Sequence, residues 1–443
     1  MNRNRTFSIL AAGLMIVIVI TLLFAPGAWA QSKYKTLYKF TGGKDGNEFF
    51  RIFGANNWFS SGLILDSVGN LYGTTPTGGA DGYGTAFKLA PNTDGTWTET
   101  VLYSFIGKGD GAYPLAGLVL DSAGNLYGTT SAGGMDSCSN AYGNGCGVVF
   151  ELTSNLDGSW TESVLYGFTG GADGAQPEAR LIFDTAGNLY GTTIAGGFHL
   201  SANCNPAEFD ADKGCGTVFE LTLNSDGTWT ESVLYAFTGG KDGGTQIGAL
   251  TLDAAGNLYG TAQAQSTKDS GGVVFKLTPA AGSWKETILY DFPIGKDGGD
   301  PFSFTGLVLD SAGNIYGTTY WGVFPHAGTV FKLTPTSSGP WKWSLVRGFG
   351  TANAYHPIAG VVFDGAGNLY GATYEGGSAG CGIVFELTPT ASGGWKEKTL
   401  HSFANRPACD GMPGVVIDPA GNLYGATLGD GRTTFGSVYE ITP

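Results

Sequence analysis

Short apolar runs and glycine-rich turns alternate along almost the whole chain. In one stretch the apolar run 118–121 leads through the turn 122–124 into a second extended run, 125–130, and two more runs follow at 147–153 and 160–168. Runs of this length, bounded by Gly, Asn, Asp and Ser, are typical of β-strands joined by hairpins. The stretch therefore predicts four antiparallel strands in up-and-down order, and no part of the repeated region has the spacing of a helix.

One phrase marks every copy of this unit: an aspartate, two residues, then Gly-Asn, Leu or Ile, Tyr and Gly. The phrase starts at Asp66, Asp121, Asp184, Asp253, Asp310, Asp364 and Asp418. Successive copies are 54 to 69 residues apart. Four strands repeated at such spacing are typical of propeller blades, whose radial arrangement protects the sheet edges. The sequence therefore predicts an all-β fold, a seven-bladed β-propeller with four-stranded antiparallel blades.

The two ends of the chain predict how the ring closes. The last unit stops after its third strand, 436–442, whereas segment 35–40 before the first unit matches the fourth strand at 100–105. An open solenoid would instead have atypical capping units at its ends. We expect the N-terminal strand to complete the last blade.

Residues 1–30 differ in composition from the rest of the chain. Arg3 and Arg5 precede an apolar run over 7–24, and residues 28–30 read Ala-Trp-Ala. This order is typical of a secretory signal peptide. We expect residues 1–30 to be removed and residues 31–443 to form a single propeller domain that is secreted or periplasmic. The apolar run is also long enough for the alternative, an uncleaved membrane anchor.

Composition and charge narrow the classes of partner. Glycine accounts for 75 of the 443 residues and charged residues for only 14%, which suits many tight turns between buried strands. Removal of residues 1–30 lowers the formal net charge from −14 to −16. Such a balance disfavours nucleic acid and anionic membrane surfaces as partners. We expect a monomer with no transmembrane segment after signal cleavage.

Six cysteines fit an oxidising compartment, and the predicted topology favours three pairs among about 15 possible pairings. Cys138 and Cys146 share one loop between second and third strands, and Cys204 and Cys215 share the equivalent loop of the next unit. Cys381 begins a third strand, and Cys409 lies in a link between blades. These connections emerge on one face of a propeller, so all six cysteines are candidate disulfide partners that would fasten long loops.

Two series of aspartates recur at fixed positions. The first opens the repeated phrase, and the second precedes a glycine in six of the links between blades, at Asp45, Asp110, Asp173, Asp242, Asp297 and Asp410. Aspartate in such turns caps backbone N–H groups. A ring of carboxylates could also bind Ca²⁺, but no second acid recurs at ligand spacing. We therefore expect turns, no metal site and no cofactor, with Ca²⁺ as the alternative.

Departures from the repeat predict where a ligand could bind. The candidate residues all fall on the face that bears the second-to-third-strand loops and the links between blades: Glu178, Arg180, Tyr320, Trp321, His326, His356, Tyr374 and Glu375. Titratable and aromatic groups at one end of a propeller channel are typical of a ligand site. Variable surface loops without a binding role are the alternative interpretation.

The sequence favours binding over catalysis. It contains no nucleophile elbow, no zinc-binding His-Glu-x-x-His and no phosphate-binding loop. The leading hypothesis is an exported, non-catalytic binding or scaffold protein whose ligand is an extracellular glycan or protein. The competing hypothesis is an extracytoplasmic hydrolase or lyase that uses the same loop-bearing face. A purely structural role in the envelope is a third possibility.

Three phrases carry a family resemblance: Gly-Asn-Leu-Tyr-Gly-Thr-Thr, Gly-Thr-Val-Phe-Glu-Leu-Thr and Val-Leu-Tyr-x-Phe. Together they resemble the GloVer tandem repeat of exported bacterial proteins over residues 34–443. The resemblance implies export and a tandem-repeat fold, but no known activity and no catalytic residues. Similarity to turns of NHL-type and streptogramin-lyase-like propellers is an analogy of fold alone.

Overall fold

The computed structural model describes residues 32–47, 62–135, 138–140, 143–197, 204, 214–263, 270–293, 306–322, 326–337, 339–350, 354–403, 414–429 and 433–443. Within these ranges the regular structure consists of β-strands, with no α-helix. The strands form seven antiparallel blades, which confirms the predicted seven-bladed β-propeller. The expected signal peptide, the side chain of His326 and the whole of Cys409, Asp297 and Asp410 lie outside the described residues.

Each blade contains four strands, counted outward from the centre of the ring. The first strands are Ile64–Leu65, Val119–Leu120, Ile182–Phe183, Thr251–Leu252, Val308–Leu309, Val362–Phe363 and Val416–Ile417. The second strands are Leu71–Thr75, Leu126–Thr130, Leu189–Thr193, Leu258–Gln263, Ile315–Thr319, Leu369–Ala372 and Leu423–Thr427. The third strands are Thr85–Pro91, Val148–Ser154, Thr217–Leu223, Ser270–Ala280, His326–Thr334, Ile383–Pro389 and Ser437–Thr442. The fourth strands are Trp97–Ser104, Trp160–Gly167, Trp229–Ala236, Ser283–Pro293, Lys342–Gly350, Trp395–Ser402 and, for the last blade, Lys33–Lys39.

The ring closes through the N-terminal strand, as the sequence predicts. Lys33–Lys39 pairs antiparallel with Ser437–Thr442, in a register that runs from Lys33 opposite Thr442 to Lys39 opposite Ser437. Pairing of the two chain ends removes the free edge that an open array would leave. The first and last segments of the described chain therefore stabilise each other.

A glycine in every second strand is required by the phenylalanine or tyrosine beside it. In the second blade, a Cβ atom added to Gly128 would lie 2.6 Å from Cζ of Phe150, a fully buried residue of the third strand. The third-strand ring therefore lies across the glycine. The glycine keeps an ordinary strand conformation, so the backbone does not require it. The repeated phrase ends in glycine because the ring leaves no room for a side chain.

Aromatic pairs join each blade to the next at all seven junctions. A fourth-strand phenylalanine contacts the third-strand ring of the following blade, with ring centroids 5.0 to 5.5 Å apart: Phe40 with Phe87, Phe105 with Phe150, Phe168 with Phe219, Phe237 with Phe275, Phe292 with Phe331, Phe349 with Phe385, and Phe403 with Tyr439. Such edge-on or tilted pairs contribute roughly 0.5–1.5 kcal/mol each beyond burial. The two junctions of the last blade, which contains both chain ends, are therefore built like the other five.

The repeated aspartates are turn residues, as expected. In the second blade, Oδ1 of Asp121 accepts the backbone N–H groups of Ala123 and Asn125 at 2.9 and 2.8 Å. Its Oδ2 accepts the side-chain amide of Asn125 at 2.9 Å and the hydroxyl of Tyr127 at 3.2 Å. The other six aspartates of the series accept the same four bonds. The Asn and Tyr of the phrase thus complete the turn.

The propeller has two distinct faces, which we call the loop face and the turn face. On the loop face, the link that enters a blade pairs with that blade's own second-to-third-strand loop, as shown by Ala112 with Ala132 and Ala175 with Ala195. The turn face bears the aspartate turns and the turns between third and fourth strands. Since links and long loops share one face, elaborations of either kind converge there.

Two of the predicted disulfides are confirmed on the loop face. Cys138 pairs with Cys146, and Cys204 pairs with Cys215. All four cysteines are buried against the cores of their blades. Cys381 is also disulfide-bonded. Its expected pairing with Cys409 stays a prediction, because Cys409 lies outside the described residues.

Candidate functional site

Four of the predicted site residues form one cluster, at the junction of the fifth and sixth blades on the loop face. The imidazole of His356 stacks on the ring of Tyr320, with centroids 4.1 Å apart and an interplanar angle of 5°. Trp321 stands edge-on to both, at 85° to Tyr320 and 80° to His356. Glu375 approaches from the sixth blade, with Oε2 3.7 Å from Nδ1 of His356. We call Tyr320, Trp321, His356 and Glu375 the aromatic cluster.

Backbone pairing brings these residues together from three separate segments. The link strand Ala354–Tyr355 pairs with Glu375–Gly376 of the sixth blade. The N–H of His356 donates to the carbonyl of Ala327 at 2.7 Å, and the carbonyl of His356 accepts from the N–H of Tyr374 at 2.9 Å. His356 is therefore hydrogen-bonded to both adjacent blades.

His356 also has an unusual backbone conformation. Its φ is +59°, and the residues at the equivalent position of two other links, Tyr113 and Gln176, have a φ of +57°. All three precede a proline. A left-handed conformation is uncommon for residues other than glycine and is found where the surrounding structure imposes it. The link geometry thus fixes where the imidazole points.

The imidazole of His356 is mostly buried, with 12% of its side chain exposed. Burial lowers the pKa of His356, and the Glu375 carboxylate opposes that shift. Both ring nitrogens are buried, and neither has a hydrogen-bond partner among the described residues. A neutral imidazole offers one donor and one acceptor, so the cluster retains hydrogen-bonding capacity that the fold does not use.

Trp321 is the exposed member of the aromatic cluster. Its side chain is 51% accessible, although tryptophan is usually well buried. The hydroxyl of Thr319 donates to its backbone carbonyl at 2.8 Å, as Thr130 does to Ala132 and Thr193 to Ala195. The three loops therefore share this hydrogen bond, and among them only the loop of the fifth blade presents an indole.

Two of the predicted site residues lie elsewhere, in the central cavity of the ring. Glu178 and Arg180 line a cavity of about 360 Å³ that is bounded by first-strand segments of all seven blades. None of the aromatic cluster residues lines this cavity. The eight predicted residues therefore do not form one site, because Glu178 and Arg180 are near the axis and the cluster is not.

Tyr374 and His326 are the last two of the predicted site residues. Tyr374 contributes the backbone N–H that bonds to His356. His326 begins the third strand of the fifth blade, opposite Gly350, and its side chain is not described. A contribution of either side chain to binding stays a prediction.

The second aspartate series serves the links between blades. Oδ2 of Asp173 accepts from the hydroxyl of Tyr166 at 3.0 Å and from the N–H of Thr169 at 2.8 Å, and its Oδ1 accepts from the Thr169 hydroxyl at 2.6 Å. Asp45 and Asp242 accept the same three bonds. The turn interpretation is confirmed for these residues.

Sequence reasoning missed a series of glutamates two residues after the repeated tryptophan. Burial, together with the carboxylate of the preceding link aspartate, raises the pKa of each to about 7: Glu99, Glu162, Glu231 and Glu286. The signal was present as the recurring Trp-x-Glu phrase. The tryptophans that begin the fourth strands contact the neighbouring blade, as Trp229 does with Tyr127.

Metal and membrane features are absent from the part of the chain that the structure describes. There, no three His, Cys, Asp or Glu side chains come together in a way that could bind a metal ion. Over the same residues, no helix has the length and apolarity needed to cross a membrane.

Comparison with protein families identifies the repeat. A sequence profile for the Gloeobacter/Verrucomicrobia repeat matches residues 27–205, 137–305, 206–408 and 272–443. The chain belongs to this family. The four overlapping matches of the Gloeobacter/Verrucomicrobia repeat extend through all seven blades, and the resemblance drawn from the three phrases is confirmed.

Solved structures are only distantly similar to this Gloeobacter/Verrucomicrobia repeat protein. A gluconolactonase from Xanthomonas campestris is 16% identical with a TM-score of 0.40, over 76% of this chain and 85% of that one. PorZ, a surface component of the type-IX secretion system of Porphyromonas gingivalis, is 14% identical with a TM-score of 0.48, over 87% and 46%. The NanB sialidase from Streptococcus pneumoniae is 12% identical with a TM-score of 0.40, over 92% and 70%.

Identities and TM-scores this low transfer neither substrate nor activity. A search of curated proteins finds no match to the chain. Function therefore has to be argued from the residues of the loop face and the central cavity.

Proposed function

We propose that this protein is an extracytoplasmic, non-catalytic binding module that holds an extracellular glycan at the aromatic cluster. The observation that carries the proposal is the half-exposed indole of Trp321, fixed edge-on against Tyr320 and His356. A large, rigid, amphipathic ring offers apolar contact area with little loss of conformational entropy on binding. The C–H face of a sugar ring is a partner of that chemistry.

Polar groups beside the indole complete the proposed site. The Glu375 side chain is 36% exposed beside the imidazole of His356, whose ring nitrogens are buried and have no hydrogen-bond partners among the described residues. The carboxylate supplies acceptors for sugar hydroxyls. A few polar groups at the edge of an apolar surface are typical of sites that fix a ligand's orientation.

Two features support an extracytoplasmic location. The disulfides Cys138–Cys146 and Cys204–Cys215 suit an oxidising compartment. Residues 1–30 have the composition of a signal peptide. Secretion or periplasmic export, with residues 31–443 as the mature ring, is part of the proposal.

The proposal is tested by binding of residues 31–443 to a glycan array, with W321A and H356Q as site variants. Both replacements are residues that the ring already carries at equivalent positions, Ala132 and Gln176, so the backbone accommodates them. L156A, which removes an exposed side chain on the turn face, is the control. We expect W321A to lose at least tenfold in affinity and L156A to be unchanged. Equal binding by all variants would refute the site, and a protein partner would become the better hypothesis if no glycan bound.

A hydrolase or lyase at the same cluster is the second candidate, favoured by one observation. Nδ1 of His356 lies 3.7 Å from Oε2 of Glu375, an approach from which a carboxylate can orient a histidine base. Incubation of array-positive glycans with the protein, followed by product analysis, distinguishes the two. Turnover that H356Q abolishes would replace the binding hypothesis with catalysis.

A further inference from the structure

The central cavity has a nearly uniform apolar wall. Five blades contribute an aliphatic side chain three residues before the repeated aspartate, namely Leu63, Leu250, Leu307, Val361 and Val415, and the second blade contributes Leu115 from further upstream. Its volume of about 360 Å³ falls in the range of pockets that bind small molecules. A cavity of this kind favours an apolar ligand body.

The third blade interrupts this wall with two charges. It reads Glu178-Ala179-Arg180 where the second blade reads Leu115-Ala116-Gly117. The position of Arg180 is glycine in five other blades and alanine in the sixth: Gly62, Gly117, Gly306, Gly360, Gly414 and Ala249. The fold therefore forms this segment without either charge.

Arg180 is partly exposed and has no partner for its charge among the described residues. It makes no ion pair within the described part of the chain, and its buried Nε has no hydrogen-bond partner there. Burial lowers the pKa of Arg180, but an arginine side chain stays protonated in proteins. A buried N–H group without an acceptor destabilises a fold, so Arg180 costs stability that a glycine would not.

We propose that the central cavity binds a small organic carboxylate with an apolar body and a hydrogen-bond donor on the adjacent carbon. The Arg180 guanidinium binds the carboxylate, since its planar fork matches that group. Glu178, whose side chain is 6% exposed, accepts the hydrogen bond of a neighbouring amino or hydroxyl group. The aliphatic wall contacts the rest of the ligand. This site is separate from the aromatic cluster and does not depend on the glycan proposal.

Calorimetric titration of the whole mature ring tests the proposal with four related probes. These are leucine, 2-hydroxy-4-methylpentanoate, 4-methylpentanoate and 4-methylpentanamide, of which only the last lacks a carboxylate. We expect the amide to bind at least tenfold more weakly than the carboxylates. Leucine or the 2-hydroxy acid should bind most tightly, because each provides the donor for Glu178.

The variants E178L/R180G and R180G are matched to the second blade and should fold. We expect both to lose carboxylate binding and, without ligand, to melt at a higher temperature than the wild type. R347Q, which removes an arginine at a blade junction, is the charge-matched control and should bind normally.

Three results would overturn the proposal. One is equal carboxylate binding by the wild type and E178L/R180G, and another is no binding of any carboxylate by the wild type at millimolar concentration. The third is tighter binding of inorganic sulfate than of every carboxylate, which would make Arg180 a site for inorganic anions. W321A should leave carboxylate binding unchanged, so failure of this site and failure of the glycan site are distinguishable.

Discussion

The imidazole of His356 stacks face to face on the ring of Tyr320, 4.1 Å away and within 5° of parallel. The two residues come from different connections, a link between blades and a loop inside a blade. Because the link holds His356 at a φ of +59°, the stack depends on backbone geometry as well as on ring contact. The aromatic cluster is thus built into the loop face rather than carried on a free loop.

Replacements of His356 distinguish the effect of backbone strain on stability from the effect of ring contact. H356A and H356G both lose the stack. The left-handed conformation costs alanine about 1 kcal/mol or more, whereas glycine adopts it without this cost. We expect H356A to be less stable than H356G by about 1 kcal/mol in urea denaturation. Equal stabilities would contradict the imposed φ at this position. H356Q, which copies Gln176, should be more stable than H356A.

The buried glutamates predict how stability depends on pH. Glu99, Glu162, Glu231 and Glu286 have a pKa raised to about 7 from an ordinary value of 4.5. Between those values the folded state binds more protons than the unfolded chain, so stability falls as the pH rises from about 4.5 through about 7. His356 and His401, whose pKa burial lowers, act in the opposite direction below about 6.5. The four glutamates outnumber the two histidines, so we expect a lower melting temperature at pH 8 than at pH 5.5.

Single variants assign that pH dependence to the glutamates. E162Q cannot titrate, so it should lose less stability than the wild type between pH 5.5 and 8. D157N is the control, because hydrogen bonds from Ser159 lower the pKa of Asp157 and keep its titration below this range. A wild-type melting temperature that rises from pH 5.5 to 8, or an E162Q profile identical to the wild type, would contradict the assignment.

The aspartate turns predict what happens when calcium is removed. Four donors already use the two carboxylate oxygens of Asp121, so a metal ion would have to displace them. We expect D121A to lose about 2 kcal/mol of stability, and D121N less, because asparagine keeps an acceptor oxygen. Addition of EDTA or Ca²⁺ should leave the melting temperature unchanged. A shift of several degrees on either addition would show a calcium site.

The fold could be predicted from the sequence because its signals are local and repeated. Each Asp-x-x-Gly-Asn turn fixes a hairpin within a few residues, and the count of third and fourth strands predicts closure by the N-terminal strand. The residues that contact each other across the blade junctions could be identified only from the structure. The sequence shows that the sixth link lacks its aspartate and that Arg347 stands where other blades have the tyrosine that binds this aspartate. Only the structure shows that Arg347 pairs with Glu397, with Nε 2.5 Å from Oε2.

The sequence predicts which face of the propeller carries the candidate site, but not where on that face each residue lies. Strand order places Glu178, Arg180, Trp321 and His356 on the loop face, because links and second-to-third-strand loops emerge there. It does not give their distance from the axis. The structure shows that Arg180 lines the central cavity, whereas His356 stacks at the junction of two blades. Pairing of Ala354–Tyr355 with Glu375–Gly376, together with the hydrogen bond from His356 N–H to the carbonyl of Ala327, brings the cluster together.

Fluorine NMR of protein labelled with 5-fluorotryptophan would show whether a glycan binds at the aromatic cluster. The resonance of Trp321 is assigned by its absence from W321A, and the tryptophans that begin the fourth strands at the turn face serve as internal controls. The protein is titrated with the glycan that binds most tightly on the array. We expect the Trp321 resonance to shift in step with saturation while the resonances of Trp97 and Trp229 stay in place. An unmoved Trp321 resonance at saturation would contradict the placement of the glycan at the aromatic cluster.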